Sequence, residues 1–163
     1  MKNIRNLFGL PLIALLLFQC STARRIKLAD KNAATVRMWF EEGWNKNQNE
    51  ALIEKVFCPD WEDGNPLRSN QTEGIEGIRQ SVKFYQQAFA NAHFTITHLF
   101  ASDNHVAIRY EVSATHIGPA FGVPATGKHF TSTGIVLYDM EGGKIKRSWQ
   151  ELDLMGIMRQ LKE

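Results

Sequence analysis

The spacing of apolar residues changes from a helical to a strand period about halfway along the chain. Before Asn91 the apolar positions recur every three or four residues, as on one face of a helix. After Asn91 they alternate with polar residues, as in strands with one buried face, and a short turn signal, Glu141-Gly142-Gly143, joins two such runs. The sequence therefore predicts an α+β domain in which helices precede an antiparallel meander.

Helical periodicity predicts three helices in the first part, over residues 28–45, 49–58 and 73–90. The stretch between the second and third, 60–71, is rich in Gly, Pro and Asn, which predicts an ordered loop. A short last helix is expected from Leu154 to Leu161. Neither an internal repeat nor a shift in composition divides the chain, so a single hydrophobic core is expected.

The first nineteen residues are typical of an export signal. Lys2 and Arg5 precede an almost wholly apolar run from Leu7 to Phe18. As a helix this run would rise only ~18 Å, which is short of the ~30 Å hydrocarbon core of a membrane. The pattern therefore favours a signal peptide over a permanent transmembrane span.

Cys20 follows this run, and the segment resembles a bacterial lipoprotein signal, in which the cysteine becomes the lipidated N-terminus. The resemblance implies a signal peptide at 1–19, a tether at 20–30 and a folded domain at 31–163. It places the domain in the bacterial cell envelope, lipid-anchored to a membrane on the periplasmic or outer-surface side. Ordinary secretion and an uncleaved anchor are the alternatives.

Export also changes the charge of the chain. The full sequence has 19 Lys and Arg against 17 Asp and Glu, and removal of residues 1–19 takes away Lys2 and Arg5, which leaves 17 against 17. A neutral mature chain gives no basis for a nucleic-acid partner. With Cys20 acylated, Cys58 would remain as a single thiol, so no intramolecular disulfide is expected.

The segment Gly122–Lys128 matches most of the G-x-x-x-x-G-K pattern of phosphate-binding loops. A phosphate-binding loop needs a helix starting at its lysine, because the free N–H groups of that helix hold the phosphate. Here Lys128 is followed by an alternating, β-branched run, and His129 stands where a magnesium-binding Ser or Thr belongs. We therefore expect a long hairpin connection and no nucleotide.

The chain resembles the SnoaL-like polyketide cyclases, also called ester cyclases, most clearly in its second half. Their pattern contains T-H-x-G, a G-x-P-x-T-G-K turn, a G-K-I strand start, W-x-x-x-D and a closing R-Q-L. The matching segments here occur in the same order: Thr115–Gly118, Gly122–Lys128, Gly143–Ile145, Trp149, Asp153 and Arg159–Leu161. The resemblance extends over about Val36 to Leu161.

This resemblance implies an NTF2-like cone, in which three N-terminal helices pack on a strongly curved antiparallel sheet and enclose a pocket. It implies homodimers or higher homo-oligomers joined through the sheet. It also implies ring closure on a polyketide ester by an intramolecular aldol reaction, with an aspartate as acid and base and without cofactor or metal.

Asp153 is the first candidate catalytic residue. Strand alternation would place Ile145, Arg147, Trp149, Glu151 and Asp153 on one face. If that face lines the pocket, the apolar wall would raise the basicity of the Asp153 carboxylate and make it a useful proton acceptor. Asp153 also aligns with the acid/base aspartate that the resemblance implies. The alternative is a helix N-cap, since Asp153 precedes the last predicted helix.

His116 is the second candidate, because it matches the histidine of T-H-x-G and could polarise a substrate carbonyl. Its alternative is a hydrogen-bonded turn residue. Four aromatic residues and one arginine are candidate ligand contacts: Trp44, Trp61, Tyr110, Trp149 and Arg147. Aromatic residues in such patterns are more often simply core, and Arg147 is more often solvated.

The remaining histidines lack the paired spacing of a metal site, so none is expected. Two functions stay open at this stage. One is a cyclase-like enzyme acting on a small, largely apolar carbonyl compound by aldol-type cyclisation, isomerisation or hydrolysis. The other is an envelope lipoprotein that binds a small hydrophobic ligand without catalysis. A partner-binding protein with a filled pocket is a third alternative.

Overall fold

A computed structural model of the chain describes residues 9–66 and 72–163. The helical elements are α1 (Gly9–Met38), a π-helical segment (Trp39–Trp44), α2 (Asn49–Val56), α3 (Gly74–Ala88) and α4 (Leu154–Lys162). The strands are β1 (Phe57–Asp63), β2 (Phe89–Ala101), β3 (His105–His116), β4 (His129–Glu141) and β5 (Lys144–Leu152). Apart from β1, which lies between α2 and α3, the strands follow the first three helices, which confirms the α+β prediction.

The five strands form one sheet in the order β1-β5-β4-β3-β2. The four strands from β2 to β5 are an antiparallel meander, as the alternation predicts. The expectation of a wholly antiparallel sheet is wrong, because β1 pairs with β5 in parallel. The predicted loop at 60–71 is corrected in the same way: its first residues belong to β1, and residues 67–71 lie outside the described part.

Pro59 explains why β1 is hard to detect in the sequence. The second helix ends at Val56, before Pro59, as expected, but the chain enters a strand at once. Proline cannot donate a hydrogen bond to a neighbouring strand, so it is tolerated mainly at sheet edges, and β1 is an edge strand. The breaker residues that predict a loop are therefore compatible with this strand.

One face of the sheet is covered by the helices and is here called the inner face. On β3 it carries Val106, Ile108, Tyr110, Val112, Ala114 and His116, all of which are buried. The residues between them belong to the outer face. The helices contribute Val36, Trp39, Phe40, Ile53, Val56, Ile78 and Val82 to the same core. Burial of this apolar area is the main force that closes the helices over the sheet.

A β-bulge in β5 reverses which of its side chains point inwards. Ile145 pairs with Met140 and Arg147 pairs with Asp139, so Lys146 is one extra residue in the ladder. An extra residue turns every later side chain to the opposite face. The predicted common face of Ile145, Arg147, Trp149, Glu151 and Asp153 is therefore wrong.

The side chains beyond the bulge show the reversal directly. Ser148 accepts a hydrogen bond from the buried Trp61 indole at 3.2 Å, and Gln150 donates to the buried Tyr110 hydroxyl at 2.8 Å. Arg147 and Trp149 instead lie on the outer face, opposite Asp139 and Leu137.

The first helix, α1, continues through the predicted tether into the folded domain. Arg25 forms an ion pair with Asp103 at 2.9 Å, and Lys31 donates to the Gly142 carbonyl at 2.8 Å. The side chain of Cys20 and residues 1–8 of the predicted signal peptide lie outside the described part. The boundaries at residues 19 and 30 stay predictions. Within the described ranges, no helix is both long and apolar enough to span a membrane.

Candidate functional site

His116 is the last residue of β3 and is completely buried. The end of the long connection between β3 and β4 folds back against it. The His116 N–H donates to the Lys128 carbonyl at 2.9 Å, and the Gly127 N–H donates to the His116 carbonyl at 2.9 Å. The ring nitrogen Nδ1 lies 3.1 Å from the Thr126 hydroxyl. The imidazole is thus held at one nitrogen.

The other ring nitrogen of His116, Nε2, has no hydrogen-bond partner among the described residues. A buried polar atom left without a partner costs about 1–3 kcal/mol, so native proteins rarely retain one without a use. A ligand oxygen would relieve this cost. This orphaned nitrogen is the strongest indication of a site in the described part of the molecule.

Aromatic rings lie next to the imidazole. The ring centroids of Phe89 and His116 are 5.6 Å apart, and Phe121 and Phe130 lie 6.0 and 5.3 Å from Phe89. Phe121 is in the connecting loop and has a φ of +53°, a region that residues other than glycine seldom adopt. Such strained positions are concentrated at functional sites. The imidazole therefore lies at the edge of an aromatic cluster formed by Phe89, Phe121 and Phe130.

A second polar pair on the inner face joins the buried Tyr110 to the exposed Gln150. The Tyr110 hydroxyl accepts a hydrogen bond from Gln150 across the intervening strand β4. Burial raises the pKa of Tyr110 above its ordinary value of 10.0, the nearby Tyr85 adds to the rise, and the bond from Gln150 opposes it. Tyr110 is therefore a neutral phenol that keeps its own proton to donate.

Three of the predicted ligand contacts, Trp44, Trp61 and Tyr110, lie on the inner side. Trp61 and Tyr110 belong to the buried core, and Trp44 is half-buried and packs against Tyr85 and Phe94. These rings contact other described side chains and fill much of the space that the sequence predicts as a pocket. Their immediate role in this structure is packing, which is the alternative left open above.

The other two predicted contacts, Trp149 and Arg147, lie outside the cone, and the expectation that they face a pocket is wrong because of the bulge in β5. The Arg147 guanidinium lies 5.6 Å from the Trp149 ring centre, and its Nε donates to Glu62 at 2.8 Å. Trp149 lines an outer depression of about 410 Å³ together with Phe100 and Leu137.

Asp153 caps α4. Its carboxylate accepts a hydrogen bond from the Gly156 N–H at 2.9 Å, so the N-cap alternative describes its contact in this structure. The side chain is exposed and lines an outer depression of about 350 Å³. Most of the residues that share this depression belong to the outer face: His93, Thr95, Glu111, Ser113, Thr131 and Thr133.

The expectation of an inward-facing Asp153 on a pocket wall is therefore wrong, since His116 belongs to the inner face. The catalytic role that the family resemblance implies for Asp153 would require the carboxylate to act from the outer side of the sheet. The buried polar side chains in the described ranges include no carboxylate; they are Asn32, Thr35, Asn49, His116 and Ser132. In the same ranges, His, Cys, Asp and Glu side chains form no group of three suited to a metal ion.

Two polar residues of the inner side were missed by the sequence analysis. Gln150 alternates with Trp149, so a regular strand would place it outside, and only the bulge turns it inwards. Thr126 lies within the glycine-rich pattern Gly122–Lys128, which the sequence analysis considered as a phosphate-binding loop and as a family motif, without assigning a role to Thr126. A signal was present for Thr126, because it belongs to the same family pattern as His116.

Comparisons with known proteins agree with this architecture. The family model described as SnoaL-like polyketide cyclase matches residues 34–161. Aklanonic acid methyl ester cyclase DnrD of Streptomyces peucetius is 26% identical over 125 residues, which span 75% of this chain and 85% of DnrD.

Solved structures show the same fold. TsrD from Streptomyces laurentii superposes with a TM-score of 0.70 at 26% identity, over 78% of this chain and 95% of TsrD. A SnoaL-like polyketide cyclase from Agrobacterium tumefaciens superposes with a TM-score of 0.63 at 24% identity, over 75% of this chain and 91% of its own. At the latter identity the likeness supports the fold alone.

Proposed function

Because this chain belongs to the SnoaL-like polyketide cyclase family, we propose that it acts on a small, largely apolar carbonyl compound bound beside His116. The chemistry would be cofactor-free acid/base catalysis: aldol-type cyclisation, isomerisation or hydrolysis. The observation that carries this proposal is the fully buried imidazole whose Nε2 lacks a partner. DnrD is named as the cyclase of a methyl ester, which favours a keto ester as the class of ligand.

The proposed step begins with a hydrogen bond from His116 to the carbonyl oxygen. When a water molecule takes a proton from the neighbouring carbon, negative charge develops on that oxygen, and a donor already in place stabilises it; solvent then returns a proton to the carbon, as a deuteron in D₂O. The aromatic rings of Phe89 and Phe121 lower the local dielectric constant and thereby strengthen the interaction. Because Phe121 is in the connecting loop, we propose that its displacement opens the way to His116.

The alternative function is non-catalytic capture of a small hydrophobic ligand. It is favoured by one observation: no described buried side chain is a carboxylate that could take the proton. The packed aromatic interior is also compatible with the third alternative, a partner-binding protein. The three differ in turnover and in ligand binding, so one experiment separates them.

That experiment uses methyl 3-benzoylpropanoate, a small aryl keto ester, as the probe. In D₂O, deuterium incorporation next to the ketone reports proton removal, and shifts in the protein spectrum report binding. We expect catalysed incorporation that His116→Gln abolishes and His98→Gln, a change at an exposed histidine, leaves intact. Binding without deuterium incorporation would favour non-catalytic capture. If the probe neither binds nor incorporates deuterium, the result counts against both the enzyme and the capture hypothesis.

The cellular setting is proposed from the leader alone. We propose that the domain is exported, with a lipid on Cys20 anchoring it in the bacterial cell envelope.

We also propose that two copies associate through their outer faces. Phe100, Ile135 and Leu137 are 70%, 49% and 50% exposed there, an unusual set of large apolar side chains for one sheet face. The face also carries Arg109 and Glu111. In a dimer with a two-fold axis, Arg109 of one copy can therefore lie opposite Glu111 of the other.

A further inference from the structure

We propose that the turn Gly122–Lys128 is a histidine-holding element, in which Thr126 is a positioning residue that fixes the tautomer of His116. The hydrogen-bond pattern of the turn carries this inference. Its catalytic consequence rests on the function proposed above, but the holding role itself does not.

The Thr126 hydroxyl has two neighbours. The Lys128 N–H donates to its oxygen at 3.3 Å, and His116 Nδ1 lies 3.1 Å from the same oxygen. A hydroxyl has one proton to give. The backbone N–H uses one of the two acceptor positions of the Thr126 hydroxyl, and in the proposed arrangement the hydroxyl gives its proton to Nδ1. In a neutral imidazole, an Nδ1 that accepts leaves the ring proton on Nε2.

This tautomer matters because Nε2 is the nitrogen without a partner. With the proton on Nε2, the imidazole presents a hydrogen-bond donor, which suits a carbonyl oxygen or an enolate. The other tautomer would present a lone pair that repels both. Thr126 therefore decides the sign of the interaction between His116 and a ligand, without contacting the ligand itself.

The backbone of the turn holds the same histidine. Paired backbone hydrogen bonds link His116 with Gly127 and Lys128, so the backbone of the histidine and the turn are held together. Gly127 has a φ of +69°, a conformation that disfavours other residues. The glycine-rich pattern that looks like a phosphate-binding loop thus has a different use: it brings a hydroxyl beside the Nδ1 atom of His116.

The test is nitrogen NMR of ¹⁵N-histidine-labelled protein at neutral pH, in which the couplings of ring nitrogens to carbon-bound ring protons identify the tautomer. We expect the Nε2–H form for His116 in the wild-type chain. Thr126→Val should convert it to a mixture or to the Nδ1–H form, and Thr126→Ser should retain it. Thr133→Val, at an outer-face residue, is the matched control and should change nothing.

Finding the Nδ1–H form of His116 in the wild-type chain would overturn the inference. This outcome needs no variant, so the inference can be tested even if Thr126→Val fails to fold. An unchanged tautomer in folded Thr126→Val overturns it as well. For catalysis we expect Thr126→Val to lower deuterium incorporation roughly tenfold, the effect of losing about 1.4 kcal/mol. If the tautomer changes as expected but the wild type never exchanges the probe, the holding role stands and the proposed function fails.

Discussion

The Tyr110 hydroxyl on β3 is joined to the Gln150 amide on β5 by a 2.8 Å hydrogen bond that passes over Gly134 on β4. Gly134 pairs with Tyr110 in the ladder, and a Cβ built there would lie 2.4 Å from the phenolic oxygen. The absence of a side chain at Gly134 is what lets the tyrosine reach across a whole strand. This bond ties three strands together on the inner face.

Gly134→Ala should therefore displace the Tyr110 ring and break its bond to Gln150. We expect the free energy of unfolding to fall by about 1–3 kcal/mol, because the added methyl overpacks a rigid core. Urea unfolding measures the change. Thr133→Ala, one residue earlier on the outer face, should stay within about 0.5 kcal/mol of wild type. Equal stability of Gly134→Ala and wild type would show that the close approach is not a constraint.

Asp153 should matter for helix capping rather than for turnover. Asp153→Ala removes the acceptor for the Gly156 N–H and should cost about 1 kcal/mol, whereas Asp153→Asn keeps a capping oxygen and should cost little. Both variants should incorporate deuterium into the keto ester at the wild-type rate. Loss of incorporation in a stable Asp153→Asn would restore the catalytic assignment that the family resemblance implies.

The outer face should control association. A charge introduced by Leu137→Glu or Phe100→Glu would have to be buried in the proposed contact between copies, which is costly. We expect either change to convert a dimer to a monomer in sedimentation velocity. Ile26→Glu is the control, since Ile26 is also exposed and apolar but lies on α1. A wild-type chain that is monomeric at micromolar concentration contradicts the proposed dimer.

Stability should decrease at alkaline pH. Burial raises the pKa of Cys58 above 9.0 and the pKa values of Tyr110 and Tyr138 above 10.0. Each group holds its proton more tightly when folded, so its contribution is fully present below the unfolded pKa. It is lost as pH rises towards the folded pKa.

We expect the urea midpoint to be steady from about pH 7 to 8.5 and to fall above about pH 9. Tyr138→Phe removes one titrating phenol and should flatten the decline above pH 10. Tyr138→Phe and wild-type curves that run parallel throughout this range would show that Tyr138 does not contribute. An exposed histidine variant, His98→Gln, should follow the wild type.

The proposed anchor predicts a membrane-bound product. Expressed from its own leader in a bacterium, the chain should fractionate with membranes, and its N-terminal peptide should begin at Cys20 with a lipid mass added. Cys20→Ser should abolish both the added mass and the membrane association. Cys58→Ser, which leaves the leader unchanged, is the control. Cleavage elsewhere, or an unmodified Cys20, would contradict lipidation.

The sequence predicted the elements that depend on periodicity. The buried stripe of α3 and the alternation of β3 are properties of neighbouring residues, and the structure confirms both. The family resemblance supplied the overall cone. The edge strand β1 was missed because Pro59 indicates a break, and its pairing with β5 depends on residues more than eighty positions away.

The site was predicted less well, for one local reason. Assigning Asp153 and Trp149 to a pocket wall relied on counting alternate residues along β5. The bulge at Lys146 depends on how β5 meets β4, which a strand's own sequence does not reveal. His116 does lie at a strand end, since that position depends on β3 alone, and its catalytic role stays a prediction.

The extra residue in β5 also suggests how a cone of this kind can change its chemistry. If β5 were shortened by one residue at Lys146, every later side chain of the strand would point to the opposite face of the sheet. The amide of Gln150 would move from the inner to the outer face, and the indole of Trp149 and the cation of Arg147 would move from the outer to the inner face, while the remaining strands kept their places. The loss or gain of a single codon at this point would therefore change which side chains of β5 face a bound ligand.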